Sequence, residues 1–165
     1  MTAGATAGPW SLRGEDATLA FGASAARALP TGAATPFVVL LEGDLGAGKT
    51  TFARGLLREL GITRPVRSPS YGLLELYDAG RWQVLHLDLY RLHDPEELEN
   101  LGLRDHHAGR TLWLVEWPER GTGHLPPADL RLTFLPGAGV HRVEAAACTP
   151  AGLDWLGRLN PEANL

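Results

Sequence analysis

The segment that most constrains the fold is residues 37–51, where an apolar run leads into a glycine-rich loop. Residues 37–41 read F-V-V-L-L, which is typical of a strand buried on both faces of a largely parallel sheet. Residues 43–50 then read G-D-L-G-A-G-K-T and fill every fixed position of the phosphate-loop pattern G-x-x-x-x-G-K-[ST]. A glycine-rich turn without a ligand is the alternative. The strand before the loop and a predicted helix at 50–60 favour phosphate binding.

Lys49 is the only lysine in the chain, which has fourteen arginines. An ammonium on a flexible stem reaches β- and γ-phosphates as a point charge, whereas a planar guanidinium fits there badly. Thr50 would place its hydroxyl on Mg²⁺. Thr51 either reaches the α-phosphate or is a helix N-terminal hydroxyl without a ligand. The residues predicted to contact the phosphates are Asp44, Leu45, Gly46, Ala47, Gly48, Lys49, Thr50 and Thr51, because the glycines allow backbone N–H groups to face anionic oxygens.

Two acidic residues follow apolar runs and are candidates for the carboxylate with which phosphate-loop enzymes hold Mg²⁺. Glu116 follows residues 112–115, and Asp88 follows residues 84–87. Each acid taken alone is explained as a strand-end side chain that faces solvent. Together with the loop, the pair favours magnesium and water chemistry. Which acid holds the ion and which positions water stays open at this point.

Three further features each have two interpretations. Ser68-Pro69-Ser70 is either a turn or a switch-like loop that places a hydroxyl near Mg²⁺ or the γ-phosphate. His86 shares a strand face with Asp88, and a hydrogen-bonded core histidine is preferred over a metal pair. Trp117 directly follows Glu116 and either packs at a strand end or lines the site.

Composition limits the classes of protein that fit. The chain has 165 residues, and we expect one domain over 1–165, with its core at about 10–147 and a short helix and tail at 148–165. The net charge of −4 argues against a broad basic surface for nucleic acid. The single cysteine, Cys148, excludes an internal disulfide and a cysteine-based metal cluster, and we expect it to be buried. Without a signal-like or membrane-spanning run, the expected location is the cytoplasm.

The order of the predicted elements indicates an α/β class, a three-layer phosphate-loop NTPase-like fold with a mixed, largely parallel central sheet flanked by helices. A helix is predicted at 15–29, with acids in its first turn. Residues 1–9 and 160–165 are expected to be frayed. The other elements expected are strands at 10–13, 71–77, 82–87, 111–117, 129–135 and 140–147, and helices at 95–101 and 150–159.

Several blocks of the sequence, in order, resemble the TsaE family (also called YjeE), small bacterial phosphate-loop ATPases of tRNA threonylcarbamoyladenosine biosynthesis. The most specific blocks are H-x-D-L-Y-R at 86–91 and E-W-P-E at 116–119, since the phosphate loop alone occurs in many families. The likeness spans about residues 13–147. The matching blocks are 41–52, 66–71, 86–92, 96–102 and 115–119.

The resemblance implies roles for individual residues. Lys49 and Thr50 would bind phosphate and Mg²⁺, Glu116 would complete the Mg²⁺ site, and Asp88 would be the second acid needed for hydrolysis. The remaining residues implied to contact the nucleotide are Trp117, Ser70, where the family usually has threonine, and Arg142.

The resemblance also implies partners and cofactors. The protein would hydrolyse ATP to ADP, and this cycle would reset the TsaB–TsaD heterodimer between turnovers on tRNA. Contact with tRNA would then be indirect, through the complex, and no membrane would be involved. Slow, partner-dependent turnover is expected.

Two other classes remain open. A small-molecule phosphate-loop kinase needs a basic lid, and residues 118–127 contain one arginine, Arg120. A nucleotide-gated binding module with negligible turnover is the second alternative. A GTPase is disfavoured, because its N-K-x-D element needs a second lysine.

Overall fold

Seven strands form one sheet in the computed structural model, which describes residues 4–32, 36–69, 71–106 and 109–159. The strands are β1 (Thr6–Arg13), β2 (Phe37–Gly43), β3 (Leu74–Ala79), β4 (Trp82–Asp88), β5 (Thr111–Glu116), β6 (Leu130–Leu135) and β7 (Val140–Ala147). Three α-helices accompany them, α1 (Gly14–Arg27), α2 (Lys49–Glu59) and α3 (Pro150–Arg158).

The sheet order is β1-β7-β6-β2-β5-β4-β3. The four central strands β6, β2, β5 and β4 are parallel, and β7, β1 and β3 are attached by antiparallel pairings. The α/β class with a mixed sheet is therefore confirmed, with the parallel pairings confined to the centre. Because parallel strands end at the same sheet edge, residues that end β2, β4 and β5 lie together.

The three α-helices cover one face of the sheet. Helices α1 and α2 approach closely through two glycines. A Cβ on Gly22 would overlap the Phe52 carbonyl oxygen, and a Cβ on Gly55 would overlap the Leu19 carbonyl oxygen. Helix α3 joins them through Trp155, whose Nε1 donates to a carbonyl oxygen of α1 at 3.0 Å. Close helix packing thus brings the start of α1 beside the start of α2.

The opposite face of the central strands is covered by three short 3₁₀ helices, Pro95–Leu101, Leu103–His106 and Pro118–Gly121, and by loops. The predicted helix at 95–101 is thus a 3₁₀ helix. Asp94 caps it, since its carboxylate accepts from the Glu96 N–H at 3.0 Å while Glu97 accepts from the Asp94 N–H at 3.1 Å. Helices flank both faces as expected, but only one of these layers is α-helical.

Three local expectations need correction. Strand β1 begins at Thr6, because it pairs with β7, so residues 6–9 are part of the sheet rather than frayed. Strand β3 begins at Leu74 instead of residue 71. Cys148 is exposed instead of buried, because β7 ends one residue earlier. The tails at 1–3 and 160–165 lie outside the described residues. In the described part, no helix is long and apolar enough to cross a membrane.

Candidate functional site

The phosphate loop, residues 43–50, joins the end of β2 to the start of α2. Gly43, Gly46 and Gly48 have φ values of 143°, 75° and 106°, a backbone region that side chains disfavour. The Ala47 N–H donates to the Asp44 carbonyl at 3.2 Å, which closes the turn. Glycine freedom therefore lets the chain reverse tightly and present the N-terminus of α2 at the sheet edge.

Lys49 is the first residue of α2, and its charged side chain is only 5% exposed. Its Nζ donates to the carbonyl oxygen of Gly43 and, at 3.3 Å, to that of Asp44. The same atom lies 3.8 Å from the centre of the Trp117 ring. Burial lowers the pKa of the Lys49 ammonium, and nearby carboxylates, with Glu116 the strongest, oppose this shift.

Asp88 and Glu116 are neighbours across the parallel pair β4–β5, because the register places them opposite each other. Both are almost fully buried and lie on the sheet face that α2 covers. Strand alternation explains the face, since Leu87 and Val115 point into the opposite apolar cluster. The two carboxylates therefore meet beside the start of α2.

The carboxylate of Glu116 is held by two side chains. The Thr50 hydroxyl lies 2.9 Å from Glu116 Oε1 and 3.1 Å from Oε2. On the other side, His86 Nε2 lies 2.6 Å from Glu116 Oε2. His86 is thus a hydrogen-bonded core histidine, the preferred of its two interpretations.

Asp88 is held by one residue just after its strand and by one from the segment before β3. Its Oδ1 accepts from the Tyr90 N–H at 3.0 Å, and its Oδ2 accepts from the Ser68 hydroxyl. The hydroxyl brought to the acid from the segment Ser68-Pro69-Ser70 is therefore that of Ser68. Ser70, the residue predicted from the resemblance, lies outside the described residues.

Trp117 adopts a left-handed backbone conformation, with φ 57° and ψ 49°, directly after β5. Such a conformation is uncommon for a bulky residue and turns the chain sharply. Its indole ring lies 5.0 Å from the Tyr90 ring, centre to centre, and beneath the Lys49 ammonium. Trp117 therefore both packs against Tyr90 and lines the site.

A cavity of about 630 Å³ lies over the phosphate loop. A volume of this order suits a whole small molecule. Among residues predicted from the sequence, its wall contains Leu45, Gly46, Ala47, Gly48, Lys49, Thr50, Thr51, Asp88, Glu116 and Trp117. Asp44 is exposed beside the loop and outside this wall.

The structure does not bring Arg142 to the cavity. Arg142 is exposed on the sheet face away from α2, while its neighbour His141 lines the cavity. Sequence reasoning missed His141 and Tyr90 as lining residues, whereas Ser68 belongs to the segment that was a candidate for bringing a hydroxyl to the site. The alternation of β7 was the available signal for His141, since the buried Val143 two residues later fixes the inward face.

The oxygen donors at this site suit a hard cation. The Thr50 hydroxyl and the carboxylates of Glu116 and Asp88 are oxygen ligands, which Mg²⁺ prefers. Across the described ranges, no group of three or more His, Cys, Asp or Glu side chains is arranged to hold a metal by itself. Mg²⁺ fits such a sparse site, because it keeps several waters and shares substrate phosphates.

The fold and the site define a phosphate-loop-type α/β protein with paired acids at the ends of adjacent strands. The family model "Threonylcarbamoyl adenosine biosynthesis protein TsaE" matches residues 12–142. The chain belongs to the TsaE family.

Individual relatives agree with this assignment. A tRNA threonylcarbamoyladenosine biosynthesis protein TsaE of Haemophilus influenzae is 44% identical over 115 residues, which cover 70% of this chain and 73% of the relative. The Bacillus subtilis protein of the same name is 44% identical over 97 residues, 59% of this chain and 60% of the relative. The crystal structure of Bacillus subtilis YdiB superposes with a TM-score of 0.79 at 28% identity and covers 99% of this chain and 100% of that chain.

Proposed function

We propose that this protein is a magnesium-dependent ATPase of tRNA threonylcarbamoyladenosine biosynthesis, and that it acts in the cytoplasm on the TsaB–TsaD complex. The biosynthetic role rests on family membership and on the names of the relatives. The single observation that carries the ATPase activity is the convergence of Lys49, Thr50, Asp88 and Glu116 on one cavity at the start of α2.

Each group has a task that its surroundings support. The backbone N–H groups of the phosphate loop and the positive end of α2 bind the phosphates. Lys49 adds a buried positive charge, which acts strongly on phosphate oxygens because little water surrounds it. The bound metal would supply charge neutralisation of the phosphates.

The hydrogen bonds around the acids support different tasks for them. The Thr50 hydroxyl uses its proton on Glu116, which leaves its oxygen lone pairs for a cation. Glu116 and Thr50 are therefore the proposed holders of Mg²⁺. Asp88 is fixed by Ser68 and the Tyr90 N–H, so its carboxylate can orient an attacking water molecule.

Phosphate release from Mg-ATP, measured with the chain alone and with TsaB–TsaD, tests the activity. We expect slow release by the chain alone and faster release with the partners. Asp88→Asn should lower turnover by about 100-fold or more while ATP still binds, because a water-positioning group is lost. Glu116→Gln should instead raise the Mg²⁺ concentration required. Phosphate release that both variants leave unchanged would contradict the proposal.

Binding to the partners needs a separate test. A pull-down of TsaB–TsaD with this chain should depend on whether ATP is present. Nucleotide-dependent capture without any phosphate release would favour the binding module instead. Transfer of the phosphate to an added metabolite would favour the kinase.

A further inference from the structure

His86 is a fully buried polar residue with no task in the proposed hydrolysis. It stands inside β4, and its neighbours Leu85 and Leu87 pack in the apolar cluster on the opposite face of the sheet. A polar ring in the core costs free energy unless it is hydrogen-bonded, and an aliphatic side chain would avoid this cost. Packing alone therefore does not account for a histidine at this position.

The ring of His86 reaches Glu116 along the sheet face that α2 covers. The parallel register of β4 and β5 pairs His86 with Leu114, so Glu116 stands two residues further along the neighbouring strand and on the same face. His86 Nε2 lies 2.6 Å from Glu116 Oε2. The Thr50 hydroxyl contacts the same carboxylate from α2. The carboxylate is therefore held from β4 and from α2 at once.

The second ring nitrogen of His86 shows which atom donates to the carboxylate. Nδ1 is buried and has no hydrogen-bond partner among the described residues. If Nδ1 alone carried the proton, a buried donor would lack an acceptor and Nε2 would face the carboxylate without a proton. His86 therefore donates its Nε2–H to Oε2 of Glu116.

This hydrogen bond distinguishes the two oxygens of the Glu116 carboxylate. Oε2 accepts from His86, while Oε1 lies 2.9 Å from the Thr50 hydroxyl. Since Thr50 and Glu116 are the proposed holders of Mg²⁺, Oε1 is the carboxylate oxygen left for the cation. Hydrogen-bond partners of this kind fix the orientation of a metal-binding carboxylate, and their loss typically lowers metal affinity about 10–100-fold.

We propose that His86 is a positioning residue for the magnesium site. Its Nε2–H holds Glu116 so that Oε1 stays beside the Thr50 hydroxyl, and this orientation sets the affinity for Mg²⁺. The inference rests on the proposed function, since it takes Glu116 and Thr50 to hold the cation. It gives this face of β4 two separate tasks, because His86 orients the metal-binding acid while Asp88 orients water.

Dissociation constants for adenylyl imidodiphosphate, a non-hydrolysable ATP analogue, test the inference when measured by titration calorimetry with Mg²⁺ and with EDTA. The ratio of the two constants is the gain in affinity that Mg²⁺ supplies. His86→Leu removes the donor and keeps a side chain of similar size, and we expect this gain to fall about tenfold. Affinity in EDTA should stay within about twofold, because Lys49 and the phosphate loop are unchanged.

His86→Gln and His86→Asn sharpen the test, because both introduce an amide and the two differ in reach. The Gln amide nitrogen can stand near the position of Nε2 and donate to Glu116, so most of the gain from Mg²⁺ should be retained. The shorter Asn amide stands near the position of Nδ1, so the gain should fall as in His86→Leu. Equal gains in the Gln and Asn variants would overturn the inference, even where His86→Leu does not fold.

Val84→Ala is the matched control, because Val84 is fully buried on the same strand and the same face as His86. It removes packing and should lower the melting temperature, but its gain from Mg²⁺ should equal that of the native chain. A native gain in His86→Leu, with only a lower melting temperature, would show a purely structural role and overturn the inference alone. If the native chain binds the analogue equally with Mg²⁺ and with EDTA, or not at all, the proposed function fails as well.

Discussion

The two faces of the central sheet carry different chemistry, although the same strands supply both. Toward the 3₁₀ helices, β2, β4 and β5 present an apolar cluster around Trp113 that consists of Val38, Leu40, Leu85, Leu87 and Val115. Toward α2, the same strands present His86, Asp88 and Glu116, and Lys49 is buried above them. One face can thus be optimised for packing, while the other keeps buried charges that packing alone would not favour.

From this difference we expect substitutions on one face to change mainly stability and substitutions on the other face to change mainly function. Substitutions on the apolar face should lower the free energy of unfolding without a selective effect on the ligand. Substitutions around Lys49 should abolish function and leave the fold intact, because buried charge is costly in the absence of a counter-ligand. The predictions below test whether effects on stability and effects on function are separate in this way.

The largest effect is expected for Lys49→Met, which keeps the length of the side chain and removes the charge. ATP turnover should fall by about 10²–10³-fold, since a preorganised positive charge at the phosphates is lost. Phosphate release under saturating ATP measures this. The melting temperature should not fall. A variant with native turnover would show that Lys49 does not act on the phosphates.

The second effect concerns the apolar face. Leu98 is buried in the 3₁₀ helix Pro95–Leu101 and packs in the cluster around Trp113. Leu98→Ala should lower the free energy of unfolding by about 2–5 kcal/mol, as expected for a buried leucine that leaves a cavity. Urea denaturation measures this value. Turnover per folded molecule should stay within about twofold of the native value. A larger loss of turnover would show that the apolar face also affects the site.

The third effect tests the close approach of α1 and α2, which holds α2 in place over the acids. Gly55→Ala should destabilise the protein by about 1–3 kcal/mol, because the new Cβ meets the Leu19 carbonyl oxygen. Gly157→Ala in α3 is the matched control, since a Cβ there meets no atom within 4 Å. It should stabilise the chain by about 0.5–1 kcal/mol. Similar melting curves for both variants would contradict this account.

The smallest effect is a pH dependence. The pKa of Lys49 is lowered by burial from its ordinary value of 10.5, so the folded chain releases this proton at lower pH than the unfolded chain. Between the two pKa values the unfolded state binds more protons, and the stability of the native chain rises with pH. Lys49→Met has no ammonium proton at this position, so it lacks this contribution to the pH dependence of stability.

The unfolding free energy of Lys49→Met, taken relative to that of the native chain, should therefore be highest near neutral pH and fall as pH rises toward 10.5. Urea denaturation of both proteins at several pH values measures the difference. A constant difference would show that burial does not penalise the Lys49 charge.

Local patterns were sufficient to predict much of the candidate site. The phosphate loop was recognisable from residues 43–50, because its glycines, lysine and threonine are contiguous. Asp88 and Glu116 were recognisable as acids directly after apolar runs. The family was likewise predicted from blocks such as 86–91 and is confirmed by the match over residues 12–142.

Other features depended on contacts between distant segments. Ser68 reaches Asp88 only because the chain before β3 passes over the end of β4. The longer β1 and the exposed Cys148 follow from how β7 pairs and ends. No periodicity within a single segment contains this information.

Local sequence specifies which chemical groups are present and at which position of each strand or helix they stand, since these properties depend on neighbours along the chain. Contacts between distant segments place β5 beside β2 and β4 beside β5, which brings both acids to Lys49. The same contacts turn the face of β7 that carries His141 and Val143, and not the face of Arg142, toward the phosphate loop and the helices. The reason is that pairing and register select one face of each strand, and a shift of one residue would exchange the two.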